Sequence, residues 1–149
     1  MPRLRDAVTA YLDTRSWPYE VQGSFIVSPV AGDSGSWTVY FELREEDEQL
    51  LVYSVVPDQV PPDRRTEAAL FVTRVNSGLP IGNFELDLDT GEVRYKTSVD
   101  VEDTSLDEPL VDHLLLANIV TVDRYLIALA SVTSGADPIA AADQADSPA

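Results

Sequence analysis

Apolar residues at Leu4, Ala7, Val8, Tyr11 and Leu12 recur three and four positions apart, which marks one face of a short helix. Pro18 closes it, because a proline pushes the residue before it, Trp17, out of helical geometry. Three apolar-rich segments with strand character follow, at residues 19–28, 36–44 and 49–56. The middle one alternates cleanly. Trp37, Val39, Phe41 and Leu43 face one way and Thr38, Tyr40, Glu42 and Arg44 the other, so one side is core and one is wet. Short linkers favour antiparallel neighbours, and the three segments read as a meander.

Residues 57–62 interrupt the sheet, and Pro61-Pro62-Asp63 suits the first turn of a second helix, with an acid near its positive end. Ala68, Phe71, Val72 and Val75 form its apolar stripe, and Gly78 terminates it. Phe84, Leu86 and Leu88 then alternate with acids, Asp89-Thr90-Gly91-Glu92 turns the chain, and Val93, Tyr95, Thr97, Val99 and Val101 alternate back. A long helix runs from about Leu106 to about Val132, with Ser105 or Asp107 as its N-cap. The predicted fold class is α+β: an α-β-β-β-α-β-β-α sandwich, an antiparallel sheet packed with helices. One domain spans residues 1–133, and the acidic, alanine-rich tail at 134–149 is expected to be disordered because it has little to bury.

The last helix carries more apolar surface than one face needs. Leu110, Val111, Leu114, Leu115, Ile119, Val122, Tyr125, Leu126 and Leu129 cover a broad half-cylinder. Leu116, Val120 and Ile127 fall behind it, at spacings of four and seven, as a second ridge. Either the first helix packs there, or a protein partner or second subunit does. Leu70 likewise stands away from the stripe of the middle helix. These four residues are the candidate protein interface.

Charge narrows the partners. Across 149 residues, ten Lys and Arg against 26 Asp and Glu give a net charge of −16, which disfavours nucleic acid and anionic membrane surfaces. The acidity has two readings: a GC-rich genome, or a salt-adapted cytoplasm in which cations screen a carboxylate surface. The first residues, with Arg3 and Arg5, hold no apolar run of export-signal length, so a cytoplasmic location is expected. Asn118, Thr121, Asp123 and Arg124 interrupt the apolar run of the last helix, and no membrane span is expected.

Catalytic templates find few parts. There is no cysteine and one histidine, His113. Gly32-Asp33-Ser34-Gly35 looks like a serine-nucleophile segment, but His113 follows it in the chain, and turn geometry explains the loop. Asp89-Thr90-Gly91 is the aspartic-protease tripeptide, and two copies could pair across a dimer axis; flanking Asp87 and Glu92 favour a plain hairpin turn. Asp87 and Asp89 lack the remaining calcium-loop spacing, and no cofactor or metal site is expected. Arg64-Arg65 reads as a solvated pair at a helix start or a grip for an acidic partner, and His113 as a surface residue or a pH-responsive contact.

One stretch carries a family resemblance. Asn76-Ser-Gly-Leu-Pro-Ile-Gly-Asn-Phe84, continuing through Gly91 to Thr97, resembles the signature of the YbjN family of bacterial sensory transduction regulators, and Asn118-Ile-Val-Thr-Val-Asp-Arg-Tyr125 is similar to the helix that follows it there. The resemblance implies a fold like that of class I type III secretion chaperones and a non-enzymatic, usually dimeric, protein-binding or regulatory domain without established catalytic residues. The signature also has a physical reading, since its glycines, proline and Phe84 code a helix-to-hairpin corner and not a pocket. The expected function is therefore a dimeric protein-binding regulatory or chaperone-like domain. The alternatives are a small-molecule sensor with a pocket between the sheet and the C-terminal helix, and a dimeric acid protease using Asp89.

Overall fold

The computed structural model describes residues 2–147 and runs α1 (Arg3–Thr14), β1 (Glu20–Gln22), β2 (Phe25–Ala31), β3 (Ser36–Arg44), β4 (Gln49–Val55), α2 (Arg65–Asn76), β5 (Asn83–Leu86), β6 (Val93–Asp100), α3 (Glu108–Thr133) and α4 (Pro138–Asp146). A single 3-10 turn at Pro62–Arg64 leads into α2. The strands make one antiparallel sheet in the order β1-β2-β3-β4-β6-β5.

The architecture is the α+β sandwich expected, with two differences. Residues 19–28 form a hairpin and not one strand: Gln22 pairs with Phe25 across Gly23 and Ser24. Gly23 sits at φ +61, which glycine adopts at little cost, and a two-residue reversal leaves no gap in the apolar pattern. The second difference is the tail, most of which is ordered. Asp137 caps α4 by accepting from the Ala140 N–H at 2.8 Å, and Pro138 occupies the first turn. Ala141 and Ala142 are buried in the core, where short side chains let the helix approach α2 and α3 closely. The expected disorder at 134–149 therefore does not hold; its last two residues lie outside those described.

One sheet face is core. Ile26, Val39, Phe41, Leu50, Val52, Val93 and Tyr95 are sealed from solvent beneath Leu4, Val8 and Leu12 of α1, Phe71 and Val75 of α2, and Val111, Leu115, Val122 and Val132 of α3. Each such large aliphatic side chain contributes roughly 1.5–3 kcal/mol relative to exposure. Polar groups on this face are paired: Trp37 donates to the Ser54 hydroxyl at 2.9 Å, and the Thr97 hydroxyl donates to the Leu114 carbonyl at 2.8 Å.

α3 begins where Asp107 accepts from the Leu110 N–H at 3.0 Å, with Pro109 in the first turn. Its 26 residues are long and apolar enough to cross a bilayer by length and composition alone. Here one side of the helix lies on the sheet, with Asn118 hydrogen-bonded into it.

Candidate functional site

The second ridge of α3 is not covered by α1. Leu116 is 44%, Val120 64% and Ile127 66% exposed. Over these positions the ridge runs roughly 16 Å at 1.5 Å per residue. α1 meets α3 at its N-terminal end instead, where the Tyr11 hydroxyl donates to Asp112 and Arg15 pairs with Glu108 at 2.8 Å while stacking on the Tyr11 ring. Burial, and then the hydrogen bond and charge of Asp112, push the Tyr11 phenol well above its usual range. Leu70 is also exposed, on α2, a different helix from the ridge.

Two cavities flank Ile127. One of about 370 Å³ lies between the C-terminal half of α3 and the end of the sheet, walled by Ser36, Val56, Leu126 and Leu129 and rimmed by Ser34 and Asp58. The other, about 490 Å³, lies between α3 and α4. The sequence pattern does not reveal the second, because its other wall is α4, in a segment whose composition predicts disorder.

The sheet's other face is half-buried. It carries Phe25, Tyr40, Tyr53 and Val55, with the Arg94 guanidinium 4.3 Å above the Tyr53 ring. Glu85 receives Arg94 at 2.8 Å and Lys96, the only lysine, at 3.0 Å. Burial alone would raise the Glu85 carboxyl, but the hydrogen bonds and charges of Lys96 and Arg94 outweigh it and hold it below its ordinary value.

The sheet edges differ as docking sites. On β5 the Asn76 side chain accepts from the Phe84 N–H at 2.7 Å and donates to the Phe84 carbonyl at 3.0 Å, occupying the backbone groups that an added strand would need. The signature Asn76–Phe84 is thus an architectural clasp at the corner. The opposite edge, β1, offers three exposed residues.

The catalytic look-alikes resolve into turns and clamps. Asp87 accepts from the N–H groups of Asp89 and Thr90, and those bonds hold its carboxyl below its usual range. Asp89 is exposed on that turn, whereas a paired-aspartate mechanism needs a hydrophobic niche. The Ser34 N–H donates to Asp123 at 2.8 Å, while His113 is exposed near the start of α3. Neither reading of Arg64-Arg65 holds. Arg64 donates to the Val132 and Ala136 carbonyls, and Arg65 to those of Val60 and Asp89. Among the described residues no group of three or more His, Asp or Glu is placed to hold a metal ion.

A sequence model of YbjN, described as "Putative bacterial sensory transduction regulator", matches residues 4–130. The chain belongs to the YbjN family. Most of the fold lies within that match, and α4 lies beyond it. The crystal structure of YbjN from E. coli superposes with a TM-score of 0.64 at 12% identity, covering 83% of this chain and 91% of that one. A chain of the HopA1-SchA chaperone-effector complex gives 0.54 at 14% identity, over 81% and 90% of the two chains. A chain of the ExsC-ExsE complex gives 0.55 at 16% identity, over 85% and 92%. At these identities the likeness is one of fold: this YbjN-family chain shares its sandwich with E. coli YbjN and with one chain of each of the two complexes. No curated protein sequence matches it.

Proposed function

We propose that this chain is a cytoplasmic, non-enzymatic regulatory or chaperone-like domain that acts as a homodimer and binds another protein. The observation that carries the reading is the ridge Leu116, Val120 and Ile127, which stays exposed while α1 packs elsewhere. Apolar residues aligned on one helix face gain most by being covered, and a partner surface is the means left once α1 is placed. Family membership and the chaperone-like fold support the same role, since one fold neighbour comes from a chaperone-effector complex. With β5 clasped by Asn76, an extended partner segment has β1 or the helix ridge to bind.

Native mass and affinity capture test this reading. The wild-type chain is expected to run as a dimer and to retain a stoichiometric protein, and the double variant Leu116→Glu, Val120→Glu to lose one or both while melting as before. A strictly monomeric wild type that captures no stoichiometric partner overturns it.

The cavity of about 370 Å³ between sheet and α3 favours a second reading, a small-molecule sensor, because its lining sets Val56, Leu126 and Leu129 beside the polar Ser34, Ser36, Asp58 and Thr133, a mixture that suits a small ligand. A thermal-shift screen of metabolites would register such a ligand as a raised melting temperature. The acid-protease reading has no support in the exposed position of Asp89.

A further inference from the structure

α4 occupies a groove that it does not fill. The helix packs against both α2 and α3 and buries Pro138, Ala141 and Ala142. An open cavity of about 490 Å³ nevertheless remains between it and α3, with Ile127, Ala128 and Ser131 on one wall and Ala140, Ala141 and Gln144 on the other. Ala141 and Ala142 are buried, whereas Ala140 and Gln144 on the cavity wall are exposed, so α4 seats one face and leaves the groove beside it open.

The rim of the groove is cationic in a strongly acidic chain. Arg74 pairs with Asp143 at 3.3 Å, Arg124 donates to the Ala145 and Asp146 carbonyls, and Arg64 holds the Val132 and Ala136 carbonyls where the chain turns into α4. The Tyr125 hydroxyl adds a latch to the Asp146 carboxylate. These are three of only ten bases, gathered around a helix segment with Asp137, Asp143 and Asp146 and no base of its own. With Arg64 spent on backbone carbonyls, Arg74 and Arg124 are the bases that face the seated helix, so the surface favours a helix with acids at the places of Asp143 and Asp146, and one with larger apolar side chains on volume.

We propose that this groove is a docking site for an acidic amphipathic helix of a partner protein, and that α4 is a resident competitor that keeps it covered until such a helix displaces it. The inference goes beyond the α3 ridge and shares only Ile127 with it. A tethered occupant enjoys an effective concentration in the millimolar range, so a partner wins only through contacts that α4 lacks. Aliphatic side chains at the places of Ala140 and Gln144, one turn apart, would enter the cavity, and each one buried strengthens binding by about tenfold. A second copy's α4 would bring the same alanines and leave the same space, which is why the occupant is a different protein.

The probe is a labelled synthetic peptide of residues 137–147 carrying Ala140→Leu and Gln144→Leu, titrated against the full-length chain and followed by fluorescence anisotropy. Asp146→Asn, at an exposed position, weakens the latch without touching the core. It is expected to bind the leucine peptide several-fold more tightly than wild type does, and the unaltered peptide at least tenfold more weakly than the leucine peptide. Reversing the peptide's own charge with Asp143→Lys and Asp146→Lys is expected to weaken binding several-fold, since the probe then loses Arg74 and Tyr125 while the resident α4 keeps both. The proposal is overturned if the leucine peptide binds no better than the unaltered one, if Asp146→Asn does not improve binding, or if charge reversal leaves it intact. Formation of dimers by Asp146→Asn in place of peptide binding assigns the groove to a second copy and equally sinks it.

Discussion

Asn118 of α3 donates its side-chain amide to the Val52 carbonyl of β4 at 2.8 Å, from a position closed to solvent. The same nitrogen reaches the Thr97 hydroxyl at 3.2 Å and the Tyr95 carbonyl at 3.3 Å on β6, so one side chain ties the helix to both strands across the core. Its Oδ1 is buried without a partner among the described residues. Asn118→Ala is expected to cost about 2–4 kcal/mol in denaturant unfolding, from lost hydrogen bonds plus a cavity. Asn118→Asp is expected to be worse at neutral pH, since a carboxylate there would face two carbonyl oxygens. Burial would raise that acid's pKa above its unfolded value of about 3.9, so the variant binds its proton more tightly when folded and loses stability as pH rises above about 4. A pH-independent stability difference between Asn118→Asp and wild type would show that the amide does not hold this position.

Gly91 makes the hairpin corner equally specific. It sits at φ +81, its N–H donates to the Asp87 carbonyl at 2.8 Å, and its carbonyl accepts from the Val60 N–H at 2.8 Å. A Cβ at this position would strike the Val60 carbonyl. Gly91→Ala is therefore expected to cost about 2 kcal/mol or more, combining a left-handed backbone with a backbone clash, and to lower the melting temperature by several degrees.

Much of this arrangement is legible in the residue pattern. Alternation at Trp37 to Leu43 gives the sheet face, and the spacing of Leu4 to Leu12 gives α1, because burial of one face imposes its period on the chain. The exposed ridge at Leu116, Val120 and Ile127 is legible as a surplus of apolar positions, though not whether α1 covers it. What periodicity hides are features made by single residues. Gly23 turns a strand into a hairpin without breaking its apolar run, and Asp137-Pro138 starts a helix inside a segment whose composition looks disordered. The groove under α4 depends on contacts with Tyr125, Arg124 and Arg74, which no local pattern encodes.

The Tyr125 latch gives the tail a pH dependence on the alkaline side. Burial, and then the hydrogen bond and charge of Asp146, push the Tyr125 phenol up to about 12. Since its unfolded value is about 10, the stability from the protonated phenol is fully present below about pH 10 and is lost as pH rises towards 12. Tyr125→Phe is expected to cost about 1 kcal/mol at neutral pH and to flatten this alkaline loss. Ultraviolet titration should show one fewer late-ionising tyrosine; an unchanged titration curve would mean that Tyr125 is not so held.

Salt decides what the net charge of −16 means. Two opposing effects act on the surface. Added salt weakens exposed ion pairs such as Arg3 with Glu48 and Arg44 with Asp47, but such pairs are worth roughly 0–1 kcal/mol each, so little is lost with them. It also screens repulsion among 26 carboxylates that ten bases cannot neutralise, and that repulsion grows with the compactness of the folded state. The screening length falls from about 30 Å at 0.01 M to about 3 Å at 1 M, so molar salt removes most of the repulsion. Relief of repulsion should therefore win, with the melting temperature climbing across a KCl series from low to molar concentration. A flat series would assign the acidity to codon composition instead, because a surface shaped by the genome alone need not depend on screening to stay folded.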